Sequence, residues 1–217
     1  MRNKILCYST TLGLLVLFTG CATVVPVYET ATVKEGSDAG MGIAYQWGNY
    51  DGDSASYEYK FVRMDFLFNY GFTREIGVIG KFYGAIGDGK GLDACIGEYD
   101  DMDRYFGMEL GIQISPFSEF FDNLPITPGL SVAGAYPFPV FQYMQSNIFI
   151  GVKNKKGQEI LTLGTRLAFF EPYEIFLTLH PSDDISFAFG FSLFPLWDWS
   201  EWEHLNPQDF VIGGGFK

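Results

Sequence analysis

Ile185-Ser186-Phe187-Ala188-Phe189-Gly190-Phe191-Ser192-Leu193 decides the fold. Each odd-numbered residue is large and apolar, and each even-numbered one is Ser, Ala or Gly. Strict alternation is the period of a β-strand, whose successive side chains point to opposite faces. The second face is the informative one. A soluble sheet turns its apolar side inward and keeps a charged side in water. Here the second face carries no charge and only small side chains. It suits a narrow interior, where small residues make room, and it leaves the phenylalanines to point outward into hydrocarbon.

The same pattern recurs upstream. Met41, Ile43, Tyr45 and Trp47 alternate with Gly42, Ala44, Gln46 and Gly48. Val62, Met64, Phe66, Phe68 and Tyr70 alternate with Arg63, Asp65, Leu67 and Asn69. Met108, Leu110, Ile112 and Ile114 alternate with Gly107, Glu109, Gly111 and Gln113. Leu161, Leu163 and Leu167 alternate with Thr162, Gly164, Arg166 and Ala168. Weaker segments lie at 75–86, 127–135, 146–153, 174–180 and 209–217. The count is about ten strands, with eight and twelve as the neighbouring even numbers. Strands that face lipid must close on themselves, because an open edge in hydrocarbon leaves backbone groups without partners. The sequence therefore predicts an all-β protein, a closed antiparallel up-and-down transmembrane β-barrel. Arg63, Asp65, Lys81, Glu109 and Arg166 fall on the inner face, where unpaired charges are costly and pairing is expected. A barrel of this size is filled by side chains or holds a thin file of water, since wide channels need 16 or more strands.

Connections fit a barrel with unlike ends. Residues 51–56, 87–103 and 197–208 read as long acidic loops on one side. Residues 71–74, 154–157 and 181–184 read as short turns on the other. Residues 115–126 are a long turn on the short-turn side, with Phe117, Phe120 and Phe121 as interfacial anchors. Tyr136-Pro137-Phe138-Pro139 reads as an outer loop whose prolines stop a strand. Aromatics gather at strand ends, namely Trp47, Tyr50, Tyr57, Tyr59, Tyr105, Phe106, Trp197, Trp199 and Trp202, as in the girdles of membrane barrels. A binding patch or simple packing is the alternative reading of those aromatics.

The N-terminus adds an address. Arg2 and Lys4 precede an apolar run, Leu12 to Phe18, that is shorter than the roughly 20 residues a spanning helix needs. This reads as a secretory signal peptide, residues 1–20. Leu17-Phe18-Thr19-Gly20-Cys21 resembles the bacterial lipoprotein lipobox, with Phe18 where that motif usually has leucine. The resemblance implies cleavage before Cys21 and acylation of that cysteine, palmitate among the acyl chains. It leaves 21–39 as a lipidated tether and 40–217 as the barrel domain. Ala22, in place of an aspartate, implies by the same resemblance delivery to the outer membrane. Residues 30–48 (TATVKEGSDAGMGIAYQWG) are similar to the opening of barrel lipoproteins of bacterial outer membranes. The final strand, 209–217 (DFVIGGGFK), resembles a barrel assembly signal, although Lys217 follows the expected terminal aromatic Phe216.

Composition excludes some functions. The 217-residue chain has a formal net charge of −12 and no basic patch, so nucleic acid is not an expected partner. Loss of Cys7 and acylation of Cys21 would leave Cys95 without a disulfide partner or a thiolate metal site. No catalytic, cofactor or metal residue is assigned. His180-Pro181-Ser182 has a His-x-Ser spacing that resembles lipid A deacylase barrels, with Asp183 or Asp184 as the orienting acid. Pro181 argues for a plain turn instead, and its neighbours do not match that family. His204 has no identifiable partner. Asp93, Glu98, Asp100, Asp101 and Asp103 form an acidic run that either holds calcium or, as the better reading, is a solvated loop. The function expected is a structural or binding role as an outer-membrane barrel lipoprotein. Its partners are membrane lipid and lipopolysaccharide met through divalent cations. A lipid-modifying enzyme, a small channel and a soluble lipocalin-like carrier are the alternatives.

Overall fold

The computed structural model describes residues 26–51, 56–93, 97–138, 143–168, 171–192 and 209–217. Ten strands run through these residues in chain order: β1 Gly36–Asp51, β2 Ser56–Gly71, β3 Ile76–Asp93, β4 Gly97–Ile114, β5 Ile126–Phe138, β6 Tyr143–Lys153, β7 Glu159–Ala168, β8 Glu171–Leu179, β9 Ile185–Ser192 and β10 Asp209–Phe216. A single turn of helix, α1 Ser118–Phe121, stands between β4 and β5. Each strand pairs antiparallel with the next, and β10 returns to β1 with Met41 opposite Phe216 and Gly48 opposite Asp209. The sheet is thus a closed barrel, and closure leaves no strand edge to satisfy.

The alternation sets the facing. Phe187 and Phe189 of β9 are exposed, while Ser186, Ala188 and Ser192 are buried. Val62, Met64, Phe66 and Phe68 of β2 point out, and Arg63, Asp65 and Leu67 point in. On β4, Met108, Leu110 and Ile112 are outside, with Glu109 and Gln113 inside. Apolar side chains therefore cover the outer wall along these stretches, and Arg63, Asp65 and Glu109 are in the lumen.

The turns at 72–75, 115–125, 154–158 and 180–184 share one end of the barrel, together with the start of β1 and the end of β10. We call this the turn end. The opposite end we call the loop end. Residues 193–208, with Trp197, Trp199, Trp202 and His204, lie outside the described residues. The long turn at 115–125 contains α1, entered through Phe117 in the left-handed region (φ 57°). Phe117 and Phe120 are exposed there.

Four sequence expectations change. First, 87–103 is mostly paired: β3 and β4 are 18 residues each and extend one another past Ile86, with register shifts at Ile86/Gly89 and Gly89/Gly91. A ladder is made by backbone, so a glycine-rich acidic stretch can prolong a hairpin already formed, with bulges absorbing the irregularity. Second, Pro137 is part of β5, opposite Gly107. Proline accepts extended backbone and lacks only its N–H. One residue from the end of β5, that loss ends the ladder rather than interrupting it. Third, Tyr59 and Tyr105 turn inward and pack on Phe61, whereas Trp47 stacks outside between Tyr45 and Phe210. Finally, β1 begins at Gly36, and of the expected tether, residues 26–34 are packed rather than free.

Candidate functional site

Residues 26–34 (PVYETATVK) lie inside the barrel. Val27, Tyr28, Ala31 and Val33 are almost fully buried. The segment runs from Pro26, deep in the lumen, to Lys34 at the turn end, and reverses at Gly36 to enter β1. Gly36 has φ +91°, a conformation L side chains rarely adopt.

The lumen wall binds this segment chiefly through its backbone. Lys81 Nζ of β3 donates to the Pro26 carbonyl (3.1 Å), Thr178 Oγ1 of β8 to that of Val27 (2.5 Å), and Gln113 Nε2 of β4 to that of Thr30 (2.5 Å). Glu159 of β7 accepts from the Ala31 amide at 2.7 Å and from the Thr32 amide and hydroxyl at 3.1 and 3.0 Å. These contacts satisfy main-chain groups that no strand pairs, and an unpaired buried one would cost about 1–3 kcal/mol.

Side chains complete the fit. The Tyr28 ring lies over Gly42 of β1 and Gly213 and Gly215 of β10. A Cβ built at Gly42 would come within 2.6 Å of that ring. Val27 and Ala31 pack on Phe149 of β6 and Phe176 of β8. These two rings explain why β6 and β8 read weakly: their inner faces carry bulk that breaks the large-out, small-in rule.

An ion-pair network stands beside the segment. Arg63 Nη2 lies 2.7 Å from Asp65 Oδ1 and 3.5 Å from Glu109 Oε1. Lys81 Nζ lies 3.5 Å from Glu109 Oε2 and 3.7 Å from Glu29 Oε1, so the segment supplies an acid to the network. The Arg63 guanidinium also covers the Tyr83 ring at 3.8 Å. Tyr105 donates its hydroxyl hydrogen to Gln46 Oε1 nearby. Across the lumen, Arg166 Nη1 pairs with Glu174 Oε2 at 2.7 Å, and its Nε donates to Asn147 Oδ1.

All five charged residues placed inside from the sequence are there, and each is paired. Four acids escaped the sequence reading, among them Asp209, buried at the start of β10. Glu174 shares the inner parity of Phe176 and Thr178 and sits opposite Arg166 in the β7–β8 register, which was its available signal. Glu159 begins a strand beside a bulge at Val152/Lys153 that shifts its parity. Glu29 lies in a segment with no period.

The turn-end mouth holds a cavity of about 290 Å³, lined among others by Thr32, Lys34, Glu159, His180, Ser186 and Lys217. His180, just past β8, is buried there with Nε2 2.9 Å from Thr162 Oγ1, which donates to Glu159 Oε1 at 2.6 Å. With that hydrogen on Glu159, His180 is the donor to Thr162 and is neutral. Burial, then Lys217 and Lys34, push its pKa down to about 4. Ser182 instead accepts from the Asp184 amide (3.3 Å), and Asp183 takes Gln158 and Lys34. His180 is thus bonded to Thr162, Ser182 belongs to the turn, and the His-x-Ser spacing reflects a turn.

Cys21, Cys95 and His204 lie outside the described residues. The acidic run falls on the β3–β4 hairpin, where side chains are described only at Asp103, paired at 3.6 Å with Arg104. Among the described residues, no three His, Cys, Asp or Glu side chains gather in a metal-binding group.

No protein-family model and no curated protein matches this sequence. Among solved structures, the chain is similar to Ail, the attachment invasion locus protein of Yersinia pestis, at 14% identity and a TM-score of 0.33, over 84% of this chain and 99% of that one. It is also similar to the outer membrane protease OmpT of Escherichia coli, at 6% identity and a TM-score of 0.31, over 90% of this chain and 97% of that one. The fold assignment rests on the strand pairing itself: the chain is a closed antiparallel barrel of ten strands.

Proposed function

We propose that this chain is an outer-membrane β-barrel standing in lipid, with a structural or binding role and a lumen closed by its own N-terminal segment. The observation that carries the reading is the outer wall. Ile43, Met64, Phe66, Phe82, Leu110, Ile112, Ile150, Leu163 and Phe187 are exposed on strands around the barrel. An apolar surface of this extent suits hydrocarbon and would drive a soluble protein to aggregate. The charged and filled lumen counts against a lipocalin-like carrier, whose cup would be apolar and open. The same filling counts against a permanently open channel.

Acylation at Cys21, anchoring the chain in the membrane it spans, belongs to this proposal. So does contact of the loop end with lipopolysaccharide through divalent cations bridging acidic residues. Heat-modifiable migration in detergent and folding into lipid vesicles test the reading. A monomer soluble without detergent that does not insert into vesicles would overturn it.

A further inference from the structure

The segment at 26–34 is held like a bound peptide, by contacts that a separate peptide could equally make. Its partners are side chains of β3, β4, β7 and β8, reached across the lumen. The barrel ladder does not depend on it. The pairings of β1 with β2 and β10 begin at Gly36 and Met41, and only an isolated bridge, Glu35 to Gly71, precedes them. Gly36 at φ +91° is a natural swivel between segment and strand. If the segment left, the wall it uncovers would present Lys81, Glu109, Gln113, Glu159 and Thr178, a polar lining that water and ions can enter.

We infer that residues 26–34 are a displaceable plug, and that the lumen is a receptor for an extended peptide, filled in cis, whose vacancy turns the barrel into an ion-conducting pore. This rests on the reading of the chain as a lipid-embedded barrel. Recognition is mainly through backbone, so the receptor selects an extended conformation first. It selects sequence at two places: an aromatic ring over Gly42, Gly213 and Gly215, and small apolar side chains on Phe149 and Phe176.

The test compares the wild type with a variant lacking residues 26–34, both in planar lipid bilayers. The wild type should insert and stay silent, and the deletion variant should show stepwise currents. The synthetic peptide PVYETATVK, added on the turn-end side, should block those currents, and a scrambled peptide should not. In the deletion background, Glu159→Ala removes the acceptor of three hydrogen bonds and should weaken the block about tenfold or more. Should the deletion variant not fold, Gly36→Val in the full chain serves instead. A β-branched residue disfavours the reversal at Gly36, so this variant should open intermittently. The inference is overturned if the wild type conducts in the same steps, or if a folded deletion variant is silent. It is also overturned if the deletion variant's current ignores the peptide, or if Gly36→Val folds and stays silent. If the wild type does not insert at all, the embedded-barrel reading falls, and the plug inference with it.

Discussion

Arg63 and Asp65 are two residues apart on the inner face of β2, and their side chains meet at 2.7 Å with both almost wholly buried. Neighbours two apart on a strand share a face, so one strand supplies both halves of the pair. Glu109 and Lys81 extend it to β4 and β3. A buried pair is weak evidence for stability but is costly to break from one side. Asp65→Ala should therefore lower the unfolding free energy in detergent micelles by about 3–5 kcal/mol, read from urea midpoints. The double variant Arg63→Met, Asp65→Leu should lose less than the single one. An equal or larger loss in the double variant would show that the pair adds net stability.

The outer wall makes a second prediction. Phe189 is 38% exposed and Ala188, its neighbour, 1%. A charge facing lipid near the midplane costs about 2–4 kcal/mol, because hydrocarbon offers it no solvent. Phe189→Arg should sharply reduce folding yield into vesicles, and Ala188→Ser, a small change inside, should reduce it far less. Matching yields for wild type and Phe189→Arg would mean that this face is not in lipid.

His180 ties stability at the turn end to pH. Its folded pKa, about 4, lies below the value of about 6.5 in an unfolded chain, so the unfolded state takes up the proton first. Stability from this group is full above pH 6.5 and is lost as pH falls toward 4. The loss is bounded at about 3 kcal/mol and is reduced by solvent in the cavity. Protease protection of the turn end, measured from pH 7 to pH 4, should fall in the wild type. It should fall less in His180→Gln, which stays neutral throughout. Parallel profiles would assign the pH dependence to other groups.

Acylation is tested by labelling. Wild type should incorporate radiolabelled palmitate in a bacterial host, and Cys21→Ser should not. Equal incorporation would remove the lipid anchor from the proposal.

Much of the barrel was legible because its signal is local. A strand with phenylalanine at 187, 189 and 191 declares its period and its two faces without reference to any other strand. The inner charges followed from parity alone. What stayed hidden depended on distance or on backbone. The pairing across 87–103 needs no side-chain pattern, so glycine and acid concealed it. Phe149 and Phe176 broke the small-inside rule because they serve the plug. The plug itself has no period, and its partners lie far along the chain, so nothing near Glu29 or Ala31 announces a lumen.

That distance has a consequence for the order of assembly. The Ala31 amide meets Glu159 across 128 positions, and the Val27 carbonyl meets Thr178 across 151. Neither partner exists in a nascent chain until most of the barrel has been synthesised. This stretch, made before any strand, therefore waits for β7 and β8 before it can dock, and until then its amides and carbonyls are solvated. Loop closure over such spans is slow. Biogenesis should accordingly pass through a barrel whose strands have paired while its interior is still wet.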